Sequence, residues 1–168
     1  TDAGPDRWFK KDDAFDAEIR RRFLATHEKA AAGQLTDWEK STEGALALLI
    51  LLDQFPRNMF RGSARAFATD PQARAVTAAA LLRGFDGQVP ANMRTFFYLP
   101  FEHSEEMADQ DRGIALYTAA GDADGLKWAE VHHDIIRRFG RFPHRNPVLG
   151  RATTAEEQAF LDEGGFSG

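Results

Sequence analysis

One stretch of the chain is apolar on every face of the helix that its composition predicts. The run Ala45–Leu52 holds only alanine, leucine and isoleucine, and Thr36 opens the same segment with acidic residues in the turn that follows. A helix without a polar face has to be surrounded by other elements of the fold. The run is far too short to cross a bilayer, which takes roughly 20 apolar residues. We therefore expect one helix that begins at Thr36, is ended by Pro56 and lies at the buried centre of the domain.

Helical spacing recurs along the rest of the chain, whereas the alternation typical of strands does not. Phe15, Ile19 and Phe23 fall on one helix face, and Asp70–Pro71 is a typical helix start. Short connections place successive helices side by side. The sequence thus predicts an all-α fold of antiparallel helical hairpins in a single domain over residues 1–168. A chain of this length buries roughly 70% of its unfolded surface, which is enough for a core.

Prolines set several expected helix ends. Pro56 and Pro100 should each end the helix before them, because proline lacks an N–H and clashes with the preceding turn. The next helix is predicted from about Phe101 to Ala120, and it forms a hairpin with the helix that follows. If this hairpin turns near Asp122, residues equally distant from Asp122 face each other.

Composition excludes several kinds of site. The chain has no cysteine, which removes disulfides, thiolate nucleophiles and thiolate zinc sites. His132–His133 lacks the i, i+4 spacing of a helical metal site, and no phosphate loop or dinucleotide motif is present, so we expect no metal and no cofactor. The net charge of -5 argues against nucleic acid and anionic membranes as partners. We expect a cytoplasmic protein, and no pattern indicates its oligomeric state.

The chain carries nearly the same phrase twice, as Gln54-Phe55-Pro56-Arg57-Asn58 and as Arg141-Phe142-Pro143-His144-Arg145-Asn146. Each copy follows the second helix of a predicted hairpin, so hairpins stacked in register would bring both copies to one edge. Guanidinium forks suit carboxylates and phosphates, and asparagine and imidazole add directional hydrogen bonds. The predicted ligand-binding residues are Asp53, Arg57, Asn58, Arg61, Arg141, His144, Arg145 and Asn146.

Asp53 requires a cation in its surroundings. It lies at the carbonyl end of the apolar helix, where the helix dipole and burial both disfavour a carboxylate. Arg57 is the local candidate, with Arg61 or an arginine of the second copy as alternatives. The arginines of both copies also fit a structural role, in which they cap helix ends and stack on neighbouring phenylalanines. The pattern leaves both interpretations open.

A glutamate and a histidine precede the second hairpin. Glu102-His103 follows Pro100-Phe101, and the hairpin geometry places His103 near Arg141. A carboxylate and an imidazole that face arginines could act as general acid and base on a bound anion, with His144 as a third candidate. The alternative is that Ser104 caps the next helix and that Glu102 and His103 are its polar neighbours.

Five segments of the chain together resemble a known family. They are Trp8-Phe9, Phe15-Asp16, Leu52–Gly62, Phe97–Glu105 and Arg138–Asn146. These segments resemble the domain of unknown function 924 family, and the resemblance extends over nearly the whole chain. The resemblance implies an all-helical fold similar to tetratricopeptide-like superhelices, occurring mostly in bacterial proteins, and it brings no established biochemical activity.

Three functions fit these observations. The leading hypothesis is a helical binding domain whose arginine and asparagine patch captures a phosphate or carboxylate on a small molecule or peptide. The alternative is an enzyme, a hydrolase of phosphorylated or acidic substrates, that uses His103 or His144 with Glu102. A further alternative is a protein-interaction scaffold that uses a hairpin groove.

Overall fold

A computed structural model describes residues 11–166, and Trp8-Phe9 of the resemblance therefore lies outside the described residues. Within that range the chain is all-helical, with no strand, as the sequence predicts. The helices are α1 (Asp13–Ala31), α2 (Thr42–Leu49), α3 (Phe55–Met59), α4 (Asp70–Leu82), α5 (Ala91–Glu102), α6 (Met107–Ala120), α7 (Ala123–Phe139) and α8 (Ala155–Asp162). The tetratricopeptide-like stacking and the single domain over residues 1–168 stay predictions.

The chain divides into two compact units. The first contains the described residues up to Arg61 together with Arg65–Pro100, and the second contains Gly62–Ala64 and the residues from Phe101 onward. In the first unit, α1 begins at the N-cap Asp12, whose carboxylate accepts from the Phe15 N–H. Helix α2 packs against α4, and the apolar run is buried along its length at Ala45, Leu48, Leu49, Leu51 and Leu52. The predicted buried centre is confirmed for this unit.

Four expected helix boundaries were wrong. The segment from Thr36 is a 3₁₀ helix as far as Lys40, and α2 starts anew because the Ser41 hydroxyl accepts from the Gly44 N–H. Pro56 does not end the helix, since a π-helical turn over Ile50–Gln54 leads directly into α3. Pro100 lies inside α5, which continues to Glu102. The predicted helix from Phe101 is interrupted, and α6 starts only at Met107.

The second unit is organised around the hairpin of α6 and α7. Gly121 ends α6 in the left-handed conformation, and the Asp122 carboxylate accepts from the Gly125 N–H to start α7. His133 Nε2 lies 3.1 Å from Asp111 Oδ1, and these residues are equally distant from Asp122, so the predicted hairpin register is confirmed. Helix α8 begins with a capping box formed by Thr154 and Glu157.

The described part of the chain contains no helix that combines the length and the apolar character needed to cross a membrane.

Candidate functional site

The second unit buries a histidine on α7 beside a glutamate of α5. His132 belongs to the buried face of α7, between Ala129 and Ile135, so the amphipathic pattern of the helix directs it inward. Its Nδ1 lies 3.2 Å from Oε1 of Glu102. His132 is 5% exposed and Glu102 is 4% exposed, so a base and an acid meet where little water reaches them.

Burial is the main cause that lowers the pKa of His132 to about 3; the charges of His103, Arg145 and His144 act in the same direction, and the hydrogen bond to the Trp128 carbonyl acts against them. The ring is therefore neutral at pH 7, and its contact with Glu102 is not an ion pair at that pH. The Trp128 carbonyl lies 2.8 Å from Nδ1 and accepts the proton of that nitrogen. In a neutral imidazole the other nitrogen, Nε2, then carries the lone pair.

Aromatic rings surround His132. The ring of His103 lies 6.2 Å from that of His132, measured between centroids, and those of Phe142 and Phe166 lie 5.4 Å and 4.5 Å away, all three edge to face. His144 continues the group, because its ring lies 5.7 Å from Phe142 and 5.3 Å from Phe166. We call Glu102, His103, His132, His144 and Arg145 the histidine cluster.

Arg145 supplies the permanent positive charge of the histidine cluster. It is 6% exposed, and its guanidinium carbon lies 4.3 Å from the centroid of the Phe142 ring. Its charge adds to burial in lowering the pKa of His132, and it adds to the hydrogen bonds from Arg151 and the Phe142 N–H in lowering the pKa of Glu105. Arg145 thus adds a buried, permanently charged cation to a group of histidine rings.

Two hydrogen-bonded supports hold the backbone around the cluster. Gln110 is 1% exposed, and its amide nitrogen donates to the carbonyls of Glu102 and Ser104, both at 2.7 Å. These bonds fix the segment that carries His103. On the other side, the Glu105 carboxylate accepts from the Phe142 N–H at 2.8 Å and from both terminal nitrogens of Arg151. Both supports restrict the positions of the cluster side chains.

The second copy of the repeated phrase places Arg141 on a carboxylate of α8. Nε and Nη2 of Arg141 donate to Oε1 and Oε2 of Glu157, which also accepts from Asn146 and from the Thr154 N–H. These bonds, with that of Arg141 first, lower the pKa of Glu157 to about 2 despite its burial. Arg141 and Asn146 thus share one buried carboxylate, and Arg151 Nε donates to Asn146 Oδ1 at 2.9 Å.

The arginines of the first copy also pair with carboxylates of their own unit. Arg57 Nη1 lies 3.3 Å from Asp53 Oδ1, and both Nη atoms donate to Asp70 at 3.0 Å. Arg57 is thus the partner of Asp53 that local spacing predicts. Burial alone would lower the pKa of Arg57, and the charges of Asp53 and Asp70 raise it above the ordinary value. Asp53 is 2% exposed, so the carboxylate of the pair between Asp53 and Arg57 has almost no contact with water.

Asn58 and Arg61 converge on Asp16 of α1. Asn58 Nδ2 donates to Asp16 Oδ1 at 2.8 Å, and Arg61 Nε donates to Asp16 Oδ2. Gln54 Nε2 donates to Asn58 Oδ1 at 3.1 Å, which extends the buried chain of amides towards the π-helical turn. The polar residues of the first copy therefore form a connected network within the first unit.

Three consecutive carbonyls of the π-helical turn are bonded by side chains. The Phe55 N–H bonds the Ile50 carbonyl five residues back, and Pro56 has no N–H to donate. The carbonyl of Leu51 accepts from His27, that of Leu52 from the Thr69 hydroxyl, and that of Asp53 from Arg57. The helix continues past Pro56 because these donors satisfy the carbonyl groups of the disturbed turn.

Sequence reasoning proposed Glu102, His103 and His144 as catalytic candidates and missed His132. His132 was weighed only as a metal ligand with His133, and within residues 11–166 no group of three or more histidine or acidic side chains is arranged to hold a metal ion. The overlooked signal is the helical position of His132, on the same face as Ala129 and Ile136. A histidine on an apolar stripe has to find a buried partner.

The fold and its buried cluster define an all-helical protein with a compact polar site in its second unit. The family model described as "Bacterial protein of unknown function (DUF924)" matches residues 1–165, and the chain belongs to that family. A solved structure of a protein of unknown function from Agrobacterium tumefaciens is similar, with a TM-score of 0.93 and 50% sequence identity. The similarity covers 96% of this chain and 92% of that one. No match was found among curated proteins.

Proposed function

We propose that the histidine cluster of the second unit binds a small molecule through an anionic group, a carboxylate or a phosphate. The observation that carries this proposal is the burial of Arg145, which packs on the same Phe142 ring that His132 contacts. A guanidinium held in a poorly hydrated place attracts an anion more strongly than one in water does.

The proposal assigns different tasks to the predicted ligand-binding residues. Three of these arginines form ion pairs within the protein, which balance their charge: Arg57 with Asp53, Arg61 with Asp16, and Arg141 with Glu157. Such arginines and the asparagines beside them support the two turns, and an anion that approached them would compete with a buried carboxylate. Within this proposal, His144 and Arg145 meet the ligand in addition to the partners that they already have in the protein.

A combined titration tests anion binding at the cluster. Acetate or inorganic phosphate is added at constant ionic strength to histidine-labelled protein, and the ring resonances of His132 are followed by NMR. We expect a saturable shift, and a rise in melting temperature that corresponds to about 2.7 kcal/mol at 100 times the dissociation constant. Arg145→Gln should remove the response, whereas Arg137→Gln, which alters an exposed arginine paired with Asp134, should preserve it. An unchanged response in Arg145→Gln would sink the assignment.

A second candidate function, acid-base catalysis on a bound ester or phosphate, is favoured by the contact between Glu102 and His132. A carboxylate 3.2 Å from the imidazole, with His103 at its edge, supplies the acid and base that hydrolysis needs. We expect that any hydrolytic activity found in a screen of ester and phosphate substrates falls at least about 100-fold in His132→Gln. Activity that survives this substitution, in a variant with an unaltered circular dichroism spectrum, would exclude His132 as the base.

A further inference from the structure

The histidine cluster gathers more bases than acids. His132 lies on α7, His103 follows α5, and His144 and Arg145 belong to the 3₁₀ helix that follows α7. Within the cluster Glu102 is the only acid and Arg145 the only permanent base, and both have further partners in the protein. A proton that one of the imidazoles takes up therefore meets a single carboxylate, which is already engaged.

His132 is the most buried imidazole of the cluster. It is 5% exposed and shares the buried face of α7 with Ala129 and Ile136. Its Nδ1 donates to the Trp128 carbonyl at 2.8 Å, and the Glu102 oxygen at 3.2 Å lies against the same nitrogen. A second proton has to go to Nε2, whose N–H points to a different side of the ring. Protonation in place would thus create a buried cation without a carboxylate in front of its new N–H.

The elements around His132 hold their charges in other pairs. The rings of Phe142 and Phe166, which meet His132 edge to face, carry no charge. The carboxylates on the neighbouring elements have bases of their own: Glu105 has Arg151, Asp111 on α6 has His133, and Glu157 on α8 has Arg141. The closed second unit therefore offers a protonated His132 little compensation for the water that burial has removed.

We infer that local opening of the second unit is coupled to the uptake of one proton by His132, so that the histidine cluster acts as an acid-sensitive switch. In the opened unit the ring meets water, which solvates an imidazolium, whereas in the closed unit the ring stays neutral. Mild acid therefore favours the opened form and neutral pH the closed form. The inference does not rest on the proposed anion site, since it concerns a proton and the packing of the unit.

The size of the effect follows from the pKa of His132 in the two forms. Burial is the main cause that lowers this pKa to about 3 in the closed unit, and in the opened unit the ring titrates near the ordinary pKa of 6.5. The stability that the neutral ring contributes is complete above the ordinary pKa and is lost as the pH falls below it. Between pH 7 and pH 5 the equilibrium constant for opening should rise about 25-fold from this residue alone.

Native-state hydrogen exchange of the α7 amides tests the coupling. Exchange is measured on the full chain from pH 7 to pH 5 and corrected for its intrinsic pH dependence, which gives the equilibrium constant for opening at each pH. In His132→Gln, whose side chain does not titrate, this constant should rise about 25-fold less than in the natural chain. His133→Gln is the matched control, because it alters the neighbouring histidine, which faces Asp111 on the hairpin surface. Its response should stay within about threefold of that of the natural chain.

Equal pH responses in His132→Gln and in the natural chain would overturn the inference. A second measurement needs no variant: in NMR spectra of the folded natural chain, the ring nitrogens of His132 should keep the shifts of a neutral imidazole down to pH 5. A titration of His132 in the folded chain with a midpoint near the ordinary pKa of 6.5 would also overturn it, because the closed cluster would then accept the proton. Neither outcome bears on anion binding, which the acetate and phosphate titration tests.

Discussion

The two Phe-Pro-Arg phrases are nearly identical in sequence and lie in different local structures. In the first copy, Pro56 sits in a continuous helical path, between the π-helical turn and the rest of α3. In the second copy, α7 has already ended at Gly140, which has φ +68, and Pro143 starts a short 3₁₀ helix. In neither copy does the proline itself end a helix, because the first lies in a helical path and the second follows a helix that Gly140 has already ended.

The two copies also obtain their carboxylates differently. Arg57 uses Asp53, four residues earlier, together with Asp70 at the start of α4. Arg141 uses Glu157, which belongs to the capping box of α8. The first arrangement combines a partner four residues away with one on a later helix, whereas the second uses a carboxylate of a later helix. Substitutions in each copy therefore separate a local support from a long-range one.

Arg57→Ala should have the largest effect on stability. It leaves Asp53, which is 2% exposed, without its local cation at the carbonyl end of a helix, and it also removes the donor to the Asp53 carbonyl. Breaking a buried pair of this kind costs about 3 kcal/mol. Urea denaturation followed by circular dichroism at pH 7 measures the loss. Arg21→Ala is the control, because its pair with Glu18 is exposed, and its midpoint should match that of the natural chain. A small loss in Arg57→Ala would show that Asp53 is neutralised by other means.

Glu157→Gln should reveal the long-range support of the second copy through its pH dependence. The pKa of Glu157 is lowered to about 2 by Arg141, so the contribution of its charge is complete above the ordinary pKa near 4.5 and is lost as the pH falls towards 2. Glutamine cannot titrate and lacks the charge throughout. We expect the variant to be about 2 kcal/mol less stable at pH 7 and the difference to disappear near pH 2.

Denaturation series from pH 2 to pH 7 would check this. Glu156→Gln is a matched control, since Glu156 pairs with Arg138 on the surface and should show little dependence on pH. A difference between Glu157→Gln and the natural chain that stays constant over the whole range would mean that packing, and not the ion pair, explains the loss.

Much of the fold follows from local sequence. The all-α class, the capping box at Thr154, the hairpin register about Asp122 and the pairing of Asp53 with Arg57 all depend on residues a few positions apart or on one turn. Local sequence did not predict that Pro56 and Pro100 lie within helical segments. The donors that let the helix pass Pro56, such as Thr69, come from distant parts of the chain and have no local signature.

The candidate site was predictable only in part for the same reason. Glu102, His103 and His144 stand out as reactive residues in loops or at helix ends. No sequence motif marks His132 or Phe166, because their place in the cluster depends on contacts with residues more than twenty positions away. Examples are the contacts of Phe166 with His132 and of His132 with Glu102. Local patterns identify residues that could take part in chemistry, and tertiary packing decides which of these residues come into contact.

The smallest effect is expected where the π-helical turn is tested directly. Thr69→Val keeps the side-chain shape and removes the hydroxyl that donates to the Leu52 carbonyl, in a residue that is 5% exposed. A buried carbonyl left without this donor should lower the free energy of unfolding by about 1 to 2 kcal/mol. Thr118→Val removes the same kind of bond, to the Ile114 carbonyl, on an exposed helix surface, where water replaces the hydroxyl.

Equal midpoints for the two variants in urea denaturation would contradict the view that side-chain donors allow the helix to continue through Pro56. A larger loss in Thr69→Val would support it and would explain why the second copy, which has a glycine stop in place of such donors, leaves the helix instead.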